Sequence, residues 1–357
     1  MGDPPGVAGA EMVGDMKATF AIPLSLAVTL AACTGATPGP QQPKSVATSA
    51  QIVSPTTTPA NPLSAVRHPI ESLRPRVIAE IGVGGPLAPD WQVAGYGSVW
   101  VSNSPKNSIQ RIDPRTSRVI ATIPVNDPCD GLAAGFGSVW APGCAAQLVT
   151  RIDARTNRVV ARIHAVIFSQ GEGLIAAGAG GVWVVTADKV LSRIDPSSNR
   201  VVAKVTVPAG STSAVVGFGS VWVTSYDTGT VARVDPARNK TDATIDVGAG
   251  PRFLAAGAGS IWVLNQGDGT VSRIDPATAT VVATINAQLF GDGGCIAAGL
   301  GAAWVSLPGA PLTRIDAASG TVTEQFVGEG GDCLSVGFGS VWLSNRVLGD
   351  VWRINPS

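Results

Sequence analysis

Histidine is almost absent from this chain: His68 and His164 are the only two in 357 residues. Chemistry that needs two imidazoles at one site, such as a zinc centre or a histidine acid–base pair, has little to draw on. Charge is scarce too. Asp, Glu, Lys and Arg make up 14% of the chain, and 25 cations balance 25 anions. No basic block or stripe breaks that balance, which argues against a nucleic-acid surface. The sequence also lacks a phosphate-binding Gly-rich loop leading into a helix, and any Gly-x-Ser-x-Gly elbow with a histidine to serve it.

What the chain does have is glycine, 43 of them, and a repeat. Gly-x-Gly-Ser-Val-Trp-Val, a gap of about ten residues, Arg-Ile-Asp-Pro and Val-Val-Ala-Thr-Ile recur seven times, with variations. The repeated tryptophans are Trp100, Trp140, Trp183, Trp222, Trp262, Trp304 and Trp342, at spacings of 40, 43, 39, 40, 42 and 38. A period near 40 built from short β-type runs is the mark of a β-propeller with one four-stranded blade per repeat. The sequence therefore predicts an all-β, seven-bladed propeller over residues 75–357, with antiparallel blades. In the second repeat, Leu132-Ala133-Ala134 is a small-residue inner strand, Gly135 to Ser138 a turn, Val139-Trp140 the start of the second strand, Gln147 to Ile152 the third and Arg158 to Ile163 the fourth. The repeated Trp is expected to form a packed layer between blades, and the repeated Arg and Asp to anchor turns.

The last repeat ends at Arg353-Ile354-Asn355-Pro356-Ser357, without a fourth strand. Arg76-Val77-Ile78-Ala79-Glu80-Ile81 matches the fourth strand of the first blade, Arg118 to Ile123. The N-terminal segment is thus expected to complete blade seven and leave the ring without an open edge.

Ahead of the repeats, residues 16–33 join one cation, Lys17, to an apolar run ending in small residues, the layout of a secretory signal. Leu30-Ala31-Ala32-Cys33 resembles the lipobox of bacterial lipoproteins, which implies cleavage before Cys33 and lipid on its thiol. Residues 1–32 read as signal peptide, with 1–15 upstream of the true start at Met16. Residues 33–74, rich in Ser, Thr, Pro and Ala, read as a mobile tether. The expected location is the extracytoplasmic face of the cell membrane, held by lipid, as a monomer.

With Cys33 lipidated, four cysteines remain in an exported chain, an even number. Cys129 and Cys144 flank the blade-two hairpin, and extending its register places them opposite each other, within disulfide range. Cys295 and Cys333 occupy the same slot in blades six and seven and form a second expected pair.

Gly97-Ser98-Val99-Trp100-Val101-Ser102-Asn103 and Val271-Ser272-Arg273-Ile274-Asp275-Pro276-Ala277-Thr278 resemble the YVTN-type β-propeller repeats of bacterial surface and exported proteins. More distantly, the repeats are similar to the propeller of virginiamycin B lyase, a magnesium-dependent family whose chemistry uses a histidine base and acidic metal-site residues. His164 is the one histidine of residues 75–357, and no catalytic residue is carried over from that family.

The loops leading into the seven inner strands open on one face. They carry Asp90 with Trp91, Asp127 with Asp130, Glu172, Arg252 with Phe253, Asp292, and Glu329 with Asp332, while the ends of the second strands add Asn103, Asn265, Asn345 and Arg346. A funnel with converging polar groups is the default binding site. The ligand-binding candidates are Trp91, Asp130, Glu172, Arg252, Asp292 and Asp332. The reading is a binding module for a protein, glycan or small ligand, with no resident cofactor. The alternative is a lyase- or lactonase-type enzyme that uses calcium or magnesium held by the funnel carboxylates.

Overall fold

The computed structural model describes residues 63–129, 131–167 and 172–357. These form a seven-bladed β-propeller. Six blades are four-stranded antiparallel sheets, and blade six gains a fifth strand. Within each blade the second strand is buried along its length, as in Ser98–Asn103, Ser260–Asn265 and Ser340–Asn345. The outer strands alternate exposed and covered residues, as in Arg118–Pro124 and Arg158–His164. That contrast follows from position: an inner strand packs on both faces between neighbouring blades, whereas an outer strand meets water.

All seven repeated tryptophans are fully buried. Each indole N–H donates to the carbonyl of a glycine on its own inner strand, Gly95 to Gly337, at 3.0–3.1 Å. Each indole also lies 4.8–6.0 Å from the guanidinium of the repeated arginine. The same arginines reach across blades. Arg111 donates to the Ala154 carbonyl and to Asn157 Oδ1, both at 2.8 Å. Arg151 bonds Pro196 and Asn199, Arg193 bonds Pro236 and Asn239, and Arg353 bonds Pro114 and Ser117. Arg233, Arg273 and Arg314 instead pair within their own blades, with Asp242, Ser260 and Thr323. The repeated aspartates cap the turns they begin; Asp195 accepts from Ser197 and Ser198, which lowers its pKa to about 2.

The inner strands approach so closely that glycine is required at their ends. A Cβ at Gly95 would stand 2.7 Å from Ala134 Cβ in the next blade, and one at Gly337 would stand 2.6 Å from Ala94 Cβ. That second contact is the seam where blade seven meets blade one. Buried Gln92 crosses the same seam, donating to the carbonyls of Cys333 and Trp342.

The ring closes as the sequence predicts: Val77–Gly82 pairs antiparallel with Asp350–Ile354 as the outer strand of blade seven. Arg76 Nε also donates to the Asn355 carbonyl, 279 residues away. The tether expectation is corrected at its C-terminal end. Residues 33–62 lie outside the described residues, but 63–74 are built into the propeller. Arg67–Pro69 adds in parallel to the outer strand of blade six, Thr321–Val327, and a 3-10 turn over Ile70–Arg76 leads on to the closing strand. The physical reason is burial: Val66, Ile70 and Leu73 are apolar, and all three are covered. Arg76 adds an ion pair with Glu324 at 2.9 Å, and His68 packs at a tilt against Phe326, ring centroids 5.8 Å apart.

Both cysteine pairs are bridged. The Cα atoms of Cys129 and Cys144 lie 5.9 Å apart, and those of Cys295 and Cys333 lie 4.9 Å apart. The expected register at the first pair is not the one observed. Pro128, not Cys129, faces Gly143, so the bridge spans a diagonal rather than a direct pair.

Candidate functional site

The inner strands surround a cavity of about 310 Å³ on the propeller axis, lined by small side chains such as Ala94, Ala134, Ala177 and Ala298. At the face where the inner strands begin, aromatic rings narrow it. Trp91, from blade one, reaches across to Phe253 of blade five, with ring centroids 5.8 Å apart. Its ring edge also packs over Gly173 of blade three, where a Cβ would come within 3.0 Å of it. Ser102 fixes the Trp91 backbone on both sides: its amide donates to the Trp91 carbonyl at 2.8 Å, and its hydroxyl accepts from the Trp91 amide at 3.0 Å. Trp91 is thus a half-buried plug over the channel mouth rather than a free platform.

Around that plug stand the acidic candidates. Arg252 joins two of them, with Glu172 at 3.0 Å and Asp292 at 3.1 Å, and lies 5.6 Å from the Phe253 ring. It therefore links loops of blades three, five and six. Asp292 is otherwise fully solvated, its side chain 96% exposed. Asp332 is held differently. Its amide donates to Ser306 Oγ at 3.2 Å, while its Oδ2 is buried and has no hydrogen-bond partner among the described residues. Burial is the main reason its pKa is pushed up to about 7, with added repulsion from Asp90 and Glu172 against the pull of Arg346. Asp90 is raised to about 6, again chiefly by burial, with Arg346 opposing and Glu172 adding to the shift. The sequence places Asp90 on this face, but it is not among the six ligand-binding candidates. Its signal was available, because it directly precedes Trp91 in the same loop.

Other expected members are occupied structurally. Asn103, Asn265 and Asn345 are buried and hold turns, as when Asn103 donates to the Val83 carbonyl at 2.8 Å. Asp127 accepts from the Ala145 amide at 2.6 Å. Asp130 and Cys33 lie outside the described residues. A second hollow of about 520 Å³ opens beside the plug on the same face, bounded by Asp188, Thr212, Tyr226, Asp227, Arg252 and Asp292. Among the described residues, no three acidic, imidazole or thiol groups stand close enough to hold one ion, so the calcium or magnesium reading finds no ligand set there.

No family profile and no curated protein sequence matches the chain. Solved structures do match in shape. Virginiamycin B lyase from Staphylococcus aureus superposes with a TM-score of 0.62 at 14% identity, over 78% of this chain and 99% of that one. Kuenenia stuttgartiensis hydrazine synthase superposes with a TM-score of 0.63 at 12% identity, over 76% and 96%. At such identities the likeness is one of fold: two proteins with unrelated names share the propeller, and their chemistry does not transfer with it.

Proposed function

We propose that the chain is a binding module whose funnel face captures a ligand with a cationic group. The observation that carries this is the buried, unpartnered Oδ2 of Asp332, facing further carboxylates beside the Trp91–Phe253 plug. Grouped half-buried carboxyls repel one another, and a bound ammonium or guanidinium offsets that repulsion. Tyr226 and the adjoining hollow offer room for the body of the ligand. The probes are short Lys- and Arg-containing peptides and amino-sugar oligomers, followed by titration calorimetry and Trp fluorescence. Binding at least tenfold weaker in Glu172→Gln with Asp332→Asn is the expected result. Failure of the wild-type chain to bind any probe, or a preference for anionic ones, refutes the reading.

The same proposal places the protein outside the cytoplasm, exported by residues 16–32 and anchored through lipid on Cys33. Cys33→Ala should move it out of the membrane fraction; unchanged partition in detergent phase separation refutes the anchor.

A further inference from the structure

The face opposite the funnel has a different character. Each blade turns there from its inner to its second strand through a two-residue turn with both central residues at positive φ. Blade one uses Tyr96 at 52° and Gly97 at 69°, and blade two uses Phe136 at 55° and Gly137 at 70°. Such turns favour Asn, Asp or Gly at the first position, because a bulky side chain there is strained. Here that position holds Tyr96, Phe136, Phe218, Leu300 and Phe338, with alanine in blades three and five. These five side chains are 39–51% exposed. Five large apolar groups are therefore presented to water at positions where polar residues fold more easily. Tyr96 has a local role, its hydroxyl accepting from the Gly137 amide of blade two at 2.7 Å, but the other four carry no polar group to hold them there.

The turns occupy the same register in every blade, between pairs such as Gly95 and Ser98 or Gly337 and Ser340. Their tips accordingly ring the channel axis at one level. Outside this ring lie the connections between third and outer strands. In blades one, two and four these carry exposed cations, Arg115, Arg155 and Arg238, and in blade three exposed Arg200 opens the outer strand. The aspartates of the same connections cap their own turns, as Asp113 does at the Arg115 amide and Asp235 at the Ala237 amide, both at 2.8 Å. Each also pairs with its arginine, Asp113 with Arg115 at 3.5 Å and Asp235 with Arg238 at 3.4 Å, while those arginine side chains stay 86% and 77% exposed. Carboxylates dominate the funnel face. A neutral chain has thus sorted its charge to two ends.

We propose that this face docks on an anionic lipid surface, with the apolar ring entering the headgroup region and the arginine collar meeting lipid phosphates. A level ring of aromatic and leucine tips suits a flat interface, and a basic collar beside it supplies the attraction that anionic membranes reward. The acidic opposite face is repelled from the same surface, so docking also orients the molecule with its funnel toward solvent. The inference does not depend on what the funnel binds.

The test uses the full chain carrying Cys33→Ala, so that no lipid anchor contributes. Its sedimentation is measured with vesicles of phosphatidylcholine alone and of phosphatidylcholine mixed with phosphatidylglycerol. Partition onto the anionic vesicles should exceed that onto neutral ones at least tenfold and weaken with salt. Phe136→Asn, Phe218→Asn and Phe338→Asn together should reduce it about tenfold while raising the melting temperature, since asparagine suits positive φ; unfolding then cannot explain the loss. Arg115→Gln with Arg155→Gln and Arg238→Gln should remove most of the salt dependence. Equal partition onto both vesicle types, or unchanged partition of the triple asparagine variant, overturns the proposal. It is also overturned if the ring instead drives concentration-dependent self-association without vesicle binding, because the occupant is then a second copy of this chain.

Discussion

Two arcs of the ring are built from the same repeat and joined in different ways. From blade seven through blade four, each junction carries an arginine that crosses to the next blade. From blade four round to blade seven, Arg233, Arg273 and Arg314 stay within their own blades. The arginine is present in both arcs; the side-chain acceptor is not. The receiving turn position is Ser117, Asn157, Asn199 and Asn239 in the first arc, but Ala279 and Gly320 in the second. All four residues from Asn157 to Ala279 at this position have positive φ, so the backbone is shared and only the side-chain oxygen is lost. One of the two bonds in each long-range joint, the one beside the main-chain carbonyl, thus depends on a short polar residue in a local turn. The second arc has other ties: the Cys295–Cys333 bridge between blades six and seven, the added strand Arg67–Pro69, and Arg252 spanning Glu172 and Asp292.

The largest effect should come from cutting the second arc's covalent tie. Cys295→Ser with Cys333→Ser, which opens a loop of 38 residues, should lower unfolding free energy by about 4 kcal/mol. Cys129→Ser with Cys144→Ser, at a separation of 15, should lower it by about 3 kcal/mol. A larger loss from the blade-two pair in denaturant melts would show that the second arc does not depend on its bridge.

Next comes the arginine itself. Arg151→Met removes charge-assisted bonds to Pro196 and Asn199 as well as stacking on Trp140, and should destabilise by about 2–3 kcal/mol. Arg273→Met loses stacking on Trp262 and one bond to Ser260, and should lose about 1 kcal/mol. Equal losses would mean that the cross-blade bonds contribute nothing.

Ala279→Asn sharpens the comparison in the other direction by giving Arg233 its missing acceptor. Asparagine tolerates the φ of 55° there. Arg233 then exchanges a half-exposed pair with Asp242, which is worth little, for a cross-blade bond. A gain of about 0.5–1.5 kcal/mol is expected, and an unchanged melting temperature would place the difference between the arcs in blade spacing instead.

A separate effect concerns the funnel side of the seam between blades seven and one. Asp90 and Asp332 have folded pKa values of about 6 and about 7, above the ordinary carboxylate value of 3.8. The folded state therefore holds protons that the unfolded state has released. Stability falls as pH rises from about 4 through those folded values, the reverse of a salt-bridged carboxylate. The melting temperature should be higher at pH 5 than at pH 8, and Asp332→Asn should flatten that slope. A slope of opposite sign would show these carboxyls to be well solvated.

The propeller, the blade count and the ring closure were legible because a period of seven tryptophans and one missing strand are patterns of order, readable without coordinates. The addition at Arg67–Pro69 was not. Its apolar residues, Val66, Ile70 and Leu73, sit at the end of a polar stretch whose composition outweighed them, and a parallel strand added to an outer edge leaves no hairpin signal. The site was legible only in outline. Loop order placed Trp91, Glu172, Arg252, Asp292 and Asp332 on one face, but only geometry shows that Trp91 is a plug, that Arg252 pairs two of the acids and that the conspicuous asparagines hold turns. Whether a polar side chain is free or occupied depends on neighbours far away in sequence.

The closing strand also sets a clock. Val77–Gly82 is synthesised long before its partner Asp350–Ile354, and until that partner arrives blade seven does not exist. Throughout that interval the early strand must stay solvated and unclaimed. Its alternating pattern, with the charged Glu80 toward water, fits a segment that has to wait without joining another edge. The order of manufacture and the order of assembly thus run in opposite directions, and the arrival of Asp350–Ile354 decides when the ring can first become a ring.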